Sequence, residues 1–124
     1  MASSNHDPDA PTVYRVEYTD AAKEEIERTY LWRSASTSPE AAARWAEELR
    51  ARVDKLALFP YRNERAPEYL QSGGAVRRML FGVYRVLYLV IKPEESNEPG
   101  VVRVLHVYHG ARWTGESRDL DPPS

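Results

Sequence analysis

From residue 76 to residue 108 the chain is a succession of apolar runs separated by short polar breaks. The runs 76–81, 83–91 and 101–108 are rich in Val, Ile, Tyr and Phe, residues that suit a pleated, half-buried surface. They predict three strands. Gly82 lies between the first two and marks a tight turn. The second run is apolar on both faces, which makes it the central strand. The break at 92–100 carries two prolines and three glutamates and must be exposed. Near the start of the chain, Tyr14, Val16 and Tyr18 alternate with Arg15 and Glu17. This is a first strand with one wet face, lying near an edge.

Between these strands the apolar period changes from two to three and four. Thr19 and Asp20 can cap a helix, and Ala22, Ile26 and Tyr30 then form one stripe to about Ser34. Ser38-Pro39-Glu40 starts a second helix, with a capping serine, a first-turn proline and an acid beside it. Its stripe is Ala42, Trp45, Ala46, Leu49, Val53 and Leu56, and Phe59-Pro60 ends it. Ala35, Ser36 and Thr37 separate the two patterns, so the helices form an antiparallel hairpin. Trp32 and Trp45 read as core or helix-pair packing. The order strand, helix, helix, strand, strand, strand predicts an α+β domain, with a helical hairpin on one face of an antiparallel sheet.

Composition narrows the class. The 124 residues, 42% of them hydrophobic, are enough for one core of about 100 ordered residues. The expected division is a disordered tail over 1–12, a folded domain over 13–113 and a flexible C-terminal tail over 114–124. With no cysteine, disulfides and thiolate metal sites are excluded. No apolar run approaches a membrane span of about 18 residues, and no signal peptide is legible; a cytoplasmic protein is expected. The net charge of -2 does not advertise nucleic-acid binding. Between 76 and 91, however, stand three arginines and no acid, a local basic patch on an acidic chain.

Those cations are the candidate chemistry. Arg85 interrupts the central strand, and a buried guanidinium needs a carboxylate, a carbonyl or an external anion. Two readings stand: an internal ion pair with Glu17, or a grip on phosphate from an open sheet face. Arg85 groups with Arg77 or with Arg78, depending on the turn at Gly82. Like charges gathered on a sheet favour a polyanion. His109 and Arg112 close the last strand, where a neutral histidine can move a proton and an arginine can stabilise an oxyanion. His106 reads as a helix-facing residue. A spacing of three puts His106 and His109 on different strand faces, so no metal is assigned. Tyr84 and Tyr88 share the face opposite Arg85 and pack against the helices. Residues 61–75, with Arg62 and Arg65, read as a long solvated loop.

The stretch 76–88, with Tyr84-Arg85-Val86-Leu87-Tyr88, followed by Val104-Leu-His-Val-Tyr-His-Gly-Ala-Arg112, resembles the RelE/ParE toxin superfamily. The helix start at Ser38-Pro39-Glu40 and the helix end at Leu56 to Pro60 resemble it too. The likeness covers about Tyr14 to Trp113. It implies the toxin half of a type II toxin–antitoxin module of the plasmid-stabilisation kind, neutralised by a cognate antitoxin protein in a hetero-oligomer. Two activities belong to the superfamily: poisoning of DNA gyrase, and ribosome-dependent cleavage of mRNA.

Carried over residue by residue, Arg85 matches the central-strand arginine of the nucleases, and Arg112 the arginine after their last strand. Arg77 falls near one of their lysines. The other lysine position is Met79, and no tyrosine follows Tyr108. The long paired helices resemble the ParE branch. The resemblance therefore implies a growth inhibitor acting on gyrase through Arg77, Arg78, Arg85 and Arg112. The alternatives are an mRNA interferase using Arg85, Arg112, Arg77 and His109, and an inactive antitoxin-binding member. No cofactor is implied.

Overall fold

The computed structural model describes residues 14–66, 75–93, 95 and 98–110. Both tails, the loop segment 67–74 and Arg112 lie outside the described residues. The elements run β1 (Arg15–Tyr18), α1 (Asp20–Ser36), α2 (Pro39–Asp54), β2 (Arg77–Phe81), β3 (Tyr84–Ile91) and β4 (Val101–His109), with a 3-10 turn at Lys55–Ala57 after α2. Their order is the α+β order that the hydrophobic pattern predicts.

The helix starts follow from their caps. Thr19 is extended, and its hydroxyl accepts from the Ala22 N–H; Ser38 does the same for Ala41. Each satisfies an N–H that has no partner within the helix. Pro39 opens α2, where a missing N–H costs nothing. α1 runs two residues past the expected Ser34. Within that last turn the Ser36 hydroxyl donates to the Trp32 carbonyl at 2.7 Å, and the Thr37 N–H reaches the Arg33 carbonyl at 2.8 Å. Only Thr37 and Ser38 then join the helices.

The sheet order is β1-β4-β3-β2. β2, β3 and β4 form the expected antiparallel meander. β1 joins β4 in parallel, with Glu17 beside Arg103, so the sheet is mixed. A parallel neighbour requires a long crossover, and the helical hairpin lies within it. The charged strands β1 and β2 occupy the edges, where cations and acids discourage further pairing. The apolar β3 and β4 lie inside.

One face of the sheet packs on the helices. The α2 stripe Trp45, Leu49, Val53 and Leu56 meets Met79, Tyr84, Val86, Tyr88, Val102, Val104 and Val107. Leu49 and Val53 are essentially fully buried, and each such side chain contributes about 1.5–3 kcal/mol. Trp45 is in this core, as expected. Trp32 is not: 59% exposed, it lies off the Ala22–Ile26 stripe, where α1 meets solvent. The far face carries a smaller apolar cluster of Ala66, Val76, Leu87 and Tyr108.

Gly82 has φ +59° and, with Val83, forms the two-residue connection between Phe81 and Tyr84, which pair across the hairpin. A glycine at the first central position is what a type II′ turn requires. Gly82→Val is expected to cost about 1–2 kcal/mol, the steric cost of a left-handed conformation. It should lower the urea midpoint without changing the slope.

Candidate functional site

The β2–β3 register decides how the arginines group. Leu80 pairs with Arg85, and Arg78 with Leu87. Side chains alternate along a strand, so Arg78 and Arg85 share the far face as diagonal neighbours, within reach of long side chains. Arg77 lies on the helix side with Met79. Arg78 and Arg85 are both half-buried, and both are engaged in interactions within the molecule. Arg85 also passes close over the backbone of Gly110: a Cβ built there would lie 2.9 Å from the Arg85 Nε. The Gly110 N–H donates to the Val83 carbonyl at 2.7 Å. The chain end of β4 thus lies against the Arg85 side chain, and only a residue without a side chain fits there unshifted.

Glu17 is not placed as the internal partner of Arg85. β4 separates β1 from β3, and Glu17 accepts from Arg15 at 2.7 Å and from Arg103 at 3.2 Å instead. The Arg15 hydrogen bond, then that of Arg103, holds the Glu17 carboxyl below the usual carboxylate range. This is a partly exposed edge cluster of three residues, not a buried pair.

Arg77 serves the turn after α2. Its Nη1 donates to the Asn63 carbonyl at 2.6 Å, and its guanidinium lies 5.0 Å from the Tyr61 ring centre, in cation–π range. The buried Tyr88 hydroxyl donates to the Pro60 carbonyl at 2.9 Å and accepts from Asn63 Nδ2 at 3.3 Å. Burial pushes the Tyr88 hydroxyl up from its ordinary value, while Asn63 and Arg77 pull it down. Residues 64–66 then run beside β2: the Ala66 N–H donates to the Val76 carbonyl, and the Arg78 N–H to that of Glu64. The expected solvated loop is therefore anchored over 61–66, although Arg62 and Arg65 remain exposed. Tyr88→Phe leaves the buried Pro60 carbonyl without its donor. A loss of about 1–3 kcal/mol is expected, with faster amide exchange over 60–66 as the measurement.

His109 also lies on the helix side. Its ring meets Tyr84 edge-on at 5.5 Å, and Tyr84 packs on Trp45 at 5.3 Å. Arg33 caps this aromatic group, donating to the Tyr84 hydroxyl at 3.2 Å and lying 5.6 Å from the Trp45 ring centre. The four residues read as a possible nuclease set are thus not gathered: Arg77 and His109 lie on one side of the sheet, Arg85 on the other, and Arg112 lies outside the described residues. Among the described residues no group of three or more His, Cys, Asp or Glu could hold a metal. None of the described helices is long and apolar enough to cross a membrane.

One polar device escapes the sequence reading. β4 has a bulge: Leu87 pairs with His106 but Tyr88 with Val104, leaving Leu105 as the extra residue. Helix α1 satisfies it. The Thr19 hydroxyl donates to the Leu105 carbonyl at 2.9 Å. Glu25, 6% exposed, accepts from the Val107 N–H at 2.8 Å and lies 3.0 Å from His106 Nδ1. His106 meets a helix, as read, but His109 lies on the helix side as well: the bulge undoes the alternation that set the two histidines on different faces. Glu25 sits three residues after Ala22, inside the apolar stripe, and that placement was the available signal of a buried acid.

This arrangement of sheet and hairpin has counterparts among solved structures. A structure of the chromosomal ParDE toxin–antitoxin system from P. aeruginosa superposes with a TM-score of 0.58 at 14% identity, covering 77% of this chain and 94% of that one. The RelBE2 toxin–antitoxin complex from Mycobacterium tuberculosis gives 0.51 at 22% identity, covering 84% of this chain and 97% of that one. At such identities the likeness is one of fold. No curated protein matches the chain. The family model described as the ParE toxin of the type II toxin–antitoxin system, parDE, matches residues 16–112, most of the sequence. The chain belongs to the ParE toxin family.

Proposed function

We propose that this protein inhibits growth by binding an essential protein target, DNA gyrase, and that a cognate antitoxin neutralises it in a toxin–antitoxin complex. Family membership and two structural neighbours taken from toxin–antitoxin systems support the module. The register of the β2–β3 hairpin carries the choice of binding over cleavage. It turns Arg77 and Met79 away from the face of Arg85, and His109 meets Tyr84 edge-on on the helix side. Acid–base cleavage of RNA needs its groups around one phosphate, and this arrangement separates them. A surface with Arg78 and Arg85 side by side suits a hot spot for an acidic partner.

The pairing of Arg78 with Arg85 also supports a second reading, mRNA cleavage on the ribosome, with Arg78 in the place first read for Arg77. Induction in cells separates the two. DNA breaks with intact mRNA, together with inhibition of purified gyrase, are the expected result. Codon-phased cuts in mRNA with unaffected gyrase would overturn it.

A further inference from the structure

Where the end of α2 approaches β2, on the helix side of the sheet, two hollows adjoin. One, of about 280 Å³, is lined by Arg52, Lys55, Arg62 and Asn63, with Phe59 and Met79 as apolar walls. The other, of about 460 Å³, is apolar and lined by Leu58, Phe59, Pro60, Tyr61 and Arg62. Phe59 and Arg62 belong to both. The arginine face described above lies on the other side of the sheet.

The first hollow has charge without compensation. Among the described residues, no carboxylate forms an ion pair with Arg52, Lys55 or Arg62. Arg52 is held in place: its Nη2 donates to the Leu80 carbonyl at 2.9 Å, and it lies 5.7 Å from the Phe81 ring centre. Three cations around one small hollow raise the local potential and favour an anion. A carboxylate brings a single charge. A phosphate monoester brings about 1.5 to 2 negative charges and three strong acceptor oxygens, a closer match to two guanidinium groups and an ammonium. The second hollow offers an apolar lining. Phe59 is 52% and Tyr61 45% exposed, and Arg77 holds the Tyr61 ring by a cation–π contact. Exposed aromatic rings beside a cationic pocket suit a stacked base joined to a phosphate.

We propose that these two hollows form one binding site for a nucleoside phosphate. The phosphate lies among Arg52, Lys55 and Arg62, and the base lies against Phe59 and Tyr61. The ligand is either a free mononucleotide or the phosphorylated end of a single strand; the recognised chemistry is the same.

The test is calorimetric titration of the full chain with AMP, adenosine, inorganic phosphate, a 5′-phosphorylated dinucleotide and an acidic peptide. AMP is expected to bind saturably, with adenosine and inorganic phosphate each at least tenfold weaker. Arg62→Glu and Lys55→Glu, both on exposed side chains, should weaken AMP at least tenfold while circular dichroism stays unchanged. Phe59→Ala should weaken AMP but not inorganic phosphate. A dinucleotide that binds tighter than AMP supports the site with a strand end as its source; equal binding supports it with a free nucleotide. The proposal is overturned by absence of saturable AMP binding, by AMP binding indifferent to both charge reversals, or by binding of the acidic peptide alone. Should one of the two glutamate variants lose its fold, Arg62→Gln takes its place with the same expectation.

Discussion

Glu25→Ala is expected to destabilise the protein by about 3 kcal/mol, the largest effect of any single polar side chain described here. The carboxylate is buried and has two partners, the Val107 N–H and His106 Nδ1. Removing it leaves a buried backbone N–H unsatisfied, which costs about 1–3 kcal/mol by itself. It also strips the His106 ring of its acceptor. The His106 side chain is 21% exposed, so water can replace part of that contact, and the total stays near the upper end of this range. Glu25→Gln preserves shape and an acceptor oxygen, and should cost about 1 kcal/mol. Urea unfolding of both variants checks the pair. A cost under about 1 kcal/mol for the alanine variant would mean that the bulge does not depend on α1.

Arg85→Ala is expected to abolish growth inhibition while the chain stays folded. Arginines at the centre of an interface commonly contribute about 2 kcal/mol or more to binding, roughly thirtyfold in affinity. Arg85→Lys keeps the charge but loses the planar fork, and should retain only part of the activity. Gly110→Ala gives an independent reading. The added methyl meets the Arg85 side chain and displaces it without removing any charge, so toxicity should fall with Arg85 still present. Colony counts after induction give the phenotype, and circular dichroism with urea midpoints confirms the fold. If Arg85→Ala unfolds the protein, its guanidinium serves the sheet and not a target. If the variant is folded and fully toxic, the face assigned to the target is wrong.

Much of this architecture is visible in residue order because the elements obey simple periods. Trp45, Leu49, Val53 and Leu56 repeat at three and four and are all buried. Gly82 announces its own turn through the one backbone conformation that only glycine takes easily. The caps Thr19 and Ser38 precede their helices as short polar side chains do. What stays hidden depends on register. Period counting cannot tell whether Arg77 or Arg78 joins Arg85 until the turn length is known, because a shift of one residue reverses every side chain. The bulge at Leu105 is such a shift inside a strand. The place of Glu25 inside the apolar stripe hints at burial, but nothing in α1 itself indicates an N–H waiting on β4. Trp32 was misplaced for the opposite reason: size and apolarity argue for burial, but its position on the helix faces water. The partner of Glu17 follows from β1 lying beside β4 in parallel, a pairing between distant segments that local pattern does not encode.

That pairing also governs the order in which the molecule can assemble. Among the described residues β1 has a single strand neighbour, β4, the last of the described strands; Thr19 meets Leu105 across 86 positions of sequence. While the chain emerges from the ribosome, α2 can meet β2 and β3, but β1 has no strand to pair with until β4 has been made. Contacts of such long separation form late and slowly, and an unclosed sheet edge invites other chains. A nascent copy of this protein thus remains without its finished sheet until synthesis has passed β4, and the interval before closure is when a partner or a chaperone can first intercept it.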